Sequence, residues 1–263
     1  MTTNHIPKNF AVQMFNCSFV HLFTNIVLPL TLLIILITIK IFPASAQTPD
    51  RVPDPDPHRF PQEIAGFENW DARNSTPGNA ILFVGSSSIR LWKTAEAFPA
   101  YPVINRGFGG SHIPDMIYHY DRVIGRHDPA LIVFYSSEND VASGVPLDQV
   151  FDDYTRLAGR ILDDFPEAQL LYISIKPSNS RIQHSANFTA FNRMVEEFNR
   201  GNHRLHYIDL ATALTGDGML PDDAFFVTDR LHLNESGYEA WNRLLGPVLE
   251  QLYTSEYIEQ SDP

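Results

Sequence analysis

Cysteine is almost missing from this chain: Cys17 is the single one among 263 residues. An internal disulfide framework and a cysteine-based metal site are therefore excluded. Basic residues are scarce as well, with 19 Lys and Arg against 31 Asp and Glu and a formal net charge of −12. That balance opposes binding to duplex nucleic acid, because phosphate contacts need clustered cations. The ten histidines fall into no H-E-x-x-H or similar ligand spacing, so no metal is expected. Long apolar runs are missing too. The stretch Ile26 to Ile39 is broken by Pro29, Thr31 and Thr38, and it is shorter than the about 20 residues that span a bilayer. What remains is a globular composition, 44% hydrophobic and 19% charged, which excludes a disordered or fibrous chain.

The first 46 residues contain no Asp or Glu, and Lys8 and Lys40 are their only basic residues. The apolar run is followed by Ala44-Ser45-Ala46 and then Gln47. A short apolar run ending in A-x-A has the form of a secretory signal, here with cleavage after Ala46. An uncleaved anchor is the alternative, and it would be the one route to membrane contact. Either way the remainder is expected to be exported, to a periplasm or beyond. Residues 47–61 are rich in Pro and Asp (Pro53-Asp54-Pro55-Asp56-Pro57) and read as an extended linker. Residues 62–263 read as one ordinary domain. With no cysteine beyond Cys17, its stability must come from burial of a core.

Short apolar runs alternate with helical patterns through that domain. The runs are 80–84, 103–105, 131–135, 170–175 and 205–210. They are continuous rather than alternating, which suits strands covered on both faces of a parallel sheet. Between them, 147–165, 186–199 and 235–253 repeat apolar residues at three- and four-residue spacings, as amphipathic helices do. The sequence predicts an α/β fold, a three-layer doubly wound sandwich on a parallel sheet of about five strands.

In such a sheet, ligands bind beyond the carboxyl ends of the strands. Those positions hold Gly85-Ser86-Ser87-Ser88, Gly107-Phe108-Gly109-Gly110, Ser137-Glu138-Asn139-Asp140 and Asp229-Arg230-Leu231-His232. Each has an ordinary explanation. The serines could cap a helix, the glycines could form a turn, Asn139 could bond its own backbone, and His232 could be a surface histidine. Jointly, at one sheet edge, they supply a hydroxyl, backbone N–H groups, an amide and an Asp/His pair. That is a full set for acyl transfer.

The combination resembles the GDSL/SGNH hydrolase family of esterases and lipases, through four separated blocks between Ile81 and Leu252. Gly85-Ser86-Ser87, with Trp92 five residues after Ser87, is similar to the G-D-S-[IL] block. This register assigns the nucleophile to Ser87, with Ser86 or Ser88 as the choice if it slips by one. Gly110 matches the oxyanion glycine of the second block. Asn139 matches the asparagine of the G-x-N-D block, although Ser137 stands where the glycine is usual. Asp229 and His232 match the D-x-x-H-L block.

The resemblance implies a flavodoxin-like SGNH hydrolase fold and a serine esterase without a cofactor. His232 would be the base for Ser87 and Asp229 would orient it. The oxyanion would rest on the Ser87 N–H, the Gly110 N–H and the Asn139 amide. The expected substrate is a small-molecule or carbohydrate ester with a short acyl group. A carbohydrate O-acetyl esterase, an acyltransferase on the same site and a non-catalytic exported binding protein are the alternatives. Trp92, Phe108 and His112 are candidates for substrate contact, and Arg181 either nears the pocket or is solvated at the surface.

Overall fold

The five apolar runs form five strands: β1 (Ala80–Gly85), β2 (Val103–Gly107), β3 (Pro129–Tyr135), β4 (Gln169–Ile173) and β5 (Leu205–Ile208). The computed structural model describes residues 51–215 and 220–257, all within one unit, Arg51–Pro263. The signal or anchor expected over 1–46, and the first residues of the expected linker, lie outside the described residues. No helix among the described residues is long and apolar enough to cross a membrane.

All strands are parallel, in the order β2-β1-β3-β4-β5. Every residue of β1, β3 and β4 is buried, which is why these runs show no alternation of apolar and polar residues. Successive side chains still leave the sheet on opposite faces. Leu82, Val84, Ile132, Phe134 and Tyr172 enter one core, where Val150, Tyr154, Leu157 and Ile161 of helix Leu147–Asp164 meet them. Ile81, Phe83, Leu131, Val133 and Ile173 enter the other, closed by Trp241, Leu245 and Leu249 of helix Glu235–Tyr257. The result is the three-layer α/β sandwich expected from the sequence. Each of these buried aliphatic side chains contributes on the order of 2 kcal/mol relative to exposure.

The segment 51–61 differs from an extended linker. Arg51 Nη2 meets both carboxylate oxygens of Asp153, at 2.5 and 2.7 Å. The Val52 backbone exchanges hydrogen bonds with the Gln149 side chain, at 2.8 and 2.7 Å. Arg59 reaches buried Asp115 at 2.5 Å, and Phe60 enters the first core. A further helix, Pro61–Asp71, follows and buries only Ile64. The segment stays on the domain because its cations answer carboxylates that are themselves buried.

The chain leaves β1 toward β2 on one side and returns to β3 on the other. The crevice at this reversal is where ligands bind in open parallel sheets. The loops after β1 and β3 meet there: the Ser86 N–H donates to the Tyr135 carbonyl at 3.0 Å.

Candidate active site

The turn after β1 is built on a glycine. Gly85 has φ +153, and a Cβ at this position would lie 1.9 Å from the Tyr135 carbonyl oxygen, so no side chain fits. The strand therefore passes directly into the short helix Ser87–Arg90. Ser86 and Ser88 are buried at 3% and 2% exposure, whereas Ser87 faces outward. Its Oγ lies 2.9 Å from His232 Nε2. His232 Nδ1 lies 2.6 Å from Asp229 Oδ2. Of the three adjacent serines, Ser87 is the one brought to the histidine.

The Asp229 loop is tied from within. Asp229 Oδ1 accepts from the backbone N–H groups of Leu231 and His232, at 2.8 and 2.9 Å. Burial works to raise the Asp229 pKa, but its bonds to the His232 ring and to these N–H groups outweigh that and lower it to about 2. Asp229 is thus a fixed anion behind the imidazole, able to stabilise a positive ring. The final helix is fastened to the serine turn, because the Tyr238 hydroxyl donates to the Ser88 carbonyl at 2.9 Å.

Three donors face the same small cavity of about 270 Å³, which Ser87, Gly110 and Asn139 help to line. The Ser87 and Gly110 N–H groups meet no acceptor among the described residues. Gly110 has φ +77, a left-handed backbone that suits glycine. Asn139 Nδ2 donates one hydrogen to the Ser111 carbonyl at 3.0 Å, which leaves its second hydrogen for a ligand. Ser137, where the family pattern has glycine, takes φ 76 and is the strained residue before the helix Glu138–Ala142.

The remaining sequence candidates divide. Trp92 and Phe108 are core residues, at 3% and 0% exposure. Trp92 packs against Phe83, Phe98 and Tyr238 and donates to Asn242; Phe108 packs on Phe60. Phe108 is spent on the fold, whereas Trp92, although buried, also lines a groove of about 750 Å³ beside His232, with Leu91, Val227 and Tyr238. His112 is buried, 3.5 Å from Asp140 Oδ1, and burial, followed by Arg59, lowers its pKa to about 4. Arg181 does line the cavity, with Arg90, Lys176, Glu138 and Glu63.

Sequence reasoning passed over a charged network beneath these three donors. Glu138 Oε2 accepts from Lys176 Nζ at 2.6 Å and from the Tyr135 hydroxyl at 2.5 Å. Lys176 and Glu138 have side chains only 1% and 4% exposed. Burial pushes the Glu138 carboxyl up, but Lys176, Arg181 and the two hydrogen bonds together hold it below its ordinary value. The available signal was an acidic residue directly before Asn139 and a lysine directly after the apolar run of β4. Among the described residues no group of three or more His, Cys, Asp and Glu is arranged to hold a metal ion.

The profile of the GDSL-like Lipase/Acylhydrolase family matches residues 90–240. That span includes Gly110, Asn139, Asp229 and His232 and begins just after Ser87. No curated protein gives a significant sequence match. Among solved structures, a GDSL-like lipase from Bacteroides thetaiotaomicron superposes with a TM-score of 0.63 at 16% identity, over 72% of this chain and 97% of that one. An acetylxylan esterase from Geobacillus stearothermophilus superposes with a TM-score of 0.55 at 14% identity, over 68% and 96%. At such identities the likeness is one of fold.

Proposed function

Since the chain belongs to the GDSL-like lipase/acylhydrolase family and is by that membership an ester hydrolase, we propose that it cleaves carboxylic esters of short acyl groups through Ser87, His232 and Asp229. One observation carries the reading: a line of contacts from Ser87 Oγ to His232 Nε2, and from His232 Nδ1 to Asp229, at 2.9 and 2.6 Å. A serine hydroxyl is a weak nucleophile until a base takes its proton. His232 takes it as Oγ attacks the ester carbonyl, and Asp229 steadies the positive ring that results. The carbonyl oxygen gains its charge among the N–H groups of Ser87 and Gly110 and the Asn139 amide, each such donor lowering the barrier by about 3 kcal/mol. His232 then gives its proton to the departing alkoxide. Water, activated by the same histidine, releases the acid from the acyl-serine.

The size of the cavity at the donors, about 270 Å³, just below the range for small-molecule pockets, supports a short acyl group. We also propose export, on the strength of the apolar run and Ala44-Ser45-Ala46.

The test of the mechanism is covalent labelling with an organophosphonate ester, located by mass spectrometry. The adduct is expected on Ser87, and Ser87→Ala should abolish both labelling and ester cleavage. Ser86→Ala and Ser88→Ala should still label. An adduct on either neighbour would move the nucleophile. Ester cleavage that survives in Ser87→Ala would end the serine mechanism.

A further inference from the structure

Resting on that reading, we propose that the acyl side of the site recognises a carboxylate, so that its preferred substrates are monoesters of short dicarboxylic acids. The cavity that holds Ser87, Gly110 and Asn139 is also lined by Arg90, Lys176 and Arg181, against the carboxylates Glu63 and Glu138. In a chain of net charge −12, the side chains lining this cavity carry three cations against two carboxylates.

Those cations differ in what they are already bound to. Lys176 is buried and bonded to Glu138 at 2.6 Å, so this pair is closed. Arg181 comes within 3.2 Å of the other Glu138 oxygen, Oε1. That contact is an ion pair without hydrogen-bond alignment. Glu138 thus faces two cations with one charge, and the guanidinium N–H groups of Arg181, which make no aligned hydrogen bond, can meet a ligand carboxylate. Arg181 is 22% exposed, open enough to meet a ligand. Arg90 forms no ion pair among the described residues, and its guanidinium lies against Gly109, beside the oxyanion glycine. A guanidinium is a planar fork that matches a carboxylate, and charge-assisted pairing of this kind is roughly twice as strong as a neutral hydrogen bond.

The side of the ester follows from the position of His232. The ring lines this cavity and also a second, wider groove with Leu91, Val227 and Tyr238. The departing alcohol takes its proton from His232, so the groove beyond the ring suits the alcohol. The cavity with the oxyanion donors then holds the acyl group. Because that cavity is small, the free carboxylate must lie only a few bonds from the ester carbonyl, as in a succinyl group.

The test compares hydrolysis of monoethyl succinate with that of its neutral isostere ethyl isohexanoate, followed by acid release. A second pair, acetoxyacetate and isobutyl acetate, carries the charge on the alcohol side. The wild-type protein should favour monoethyl succinate in kcat/KM by roughly tenfold or more. Arg181→Ala should collapse that ratio, Arg90→Ala should reduce it, and Arg181→Lys should keep part of it. Circular dichroism of each variant checks that it is folded, and the ratio is read within each variant, so a general loss of activity does not alter it. No preference for the succinate ester, or a preference that persists in Arg181→Ala, overturns the proposal. A preference only for acetoxyacetate overturns the assignment to the acyl side. Cleavage of all four esters that continues in Ser87→Ala strikes instead at the serine mechanism beneath it.

Discussion

Asn139 donates its side-chain amide to the carbonyl of Ser111 at 3.0 Å, and so ties the loop after β3 to the loop after β2. The same bond fixes the plane of the amide and directs its second hydrogen toward the cavity. Asn139→Ala removes a donor and a tether together. We expect kcat to fall roughly a hundredfold or more with the circular dichroism spectrum unchanged. An unaltered kcat would take Asn139 out of the oxyanion site.

Ser137 stands at φ 76, where a side chain strains the backbone by about 1 kcal/mol. Its Oγ accepts from the buried Tyr172 hydroxyl at 3.2 Å, a bond of about 1 kcal/mol. The two terms nearly cancel. Ser137→Gly should therefore leave denaturant stability within about 1 kcal/mol of wild type. Ser137→Val adds a β-branched side chain to the same backbone and should cost about 2 kcal/mol or more. Equal stabilities for the two variants would contradict this account.

Asp140 is buried beside His112, and burial raises its pKa to about 7 despite the bond from the Ile113 N–H. In the unfolded chain it titrates near 3.9. Its protonated form therefore favours folding fully below about pH 4, and that contribution is lost as pH rises through about 7. Asp140→Asn cannot ionise and keeps an oxygen for Ile113. Its Tm relative to wild type should rise between pH 5 and pH 8, by thermal melts in both buffers. A constant difference would mean that Asp140 is ionised in the fold at both.

Expressed in a bacterium with a secretion system, the exported protein should begin at Gln47. N-terminal sequencing that finds residues preceding Ala44 would favour the anchor.

The sheet was legible because its middle strands are covered on both faces. Val84 and Phe134 must be apolar whichever way they point, so the runs stand out without periodicity. The helix Leu147–Asp164 was equally plain, since one of its faces is buried and the other solvated. Helix Pro61–Asp71 was not, because Ile64 is its only buried residue and leaves no repeat to read. Arg51 looked like linker because the carboxylate it meets, on Asp153, is 102 positions away. Among the site candidates, Phe108 was near the right loop in sequence but satisfies core packing, while Trp92 does both, packing in the core and lining the groove beside His232. Lys176 was passed over because a lysine after a strand is ordinarily solvated; its burial depends on Glu138, which only the fold brings to it.

Ser87 and His232 stand 145 positions apart, with every strand after the first lying between them. The ribosome therefore makes the hydroxyl early and its base late. On the proposed mechanism, a half-synthesised chain would carry a serine without its base, however well its first strands have paired. On that mechanism the site is complete only once the last helix is in place, with Tyr238 bonded to the Ser88 carbonyl.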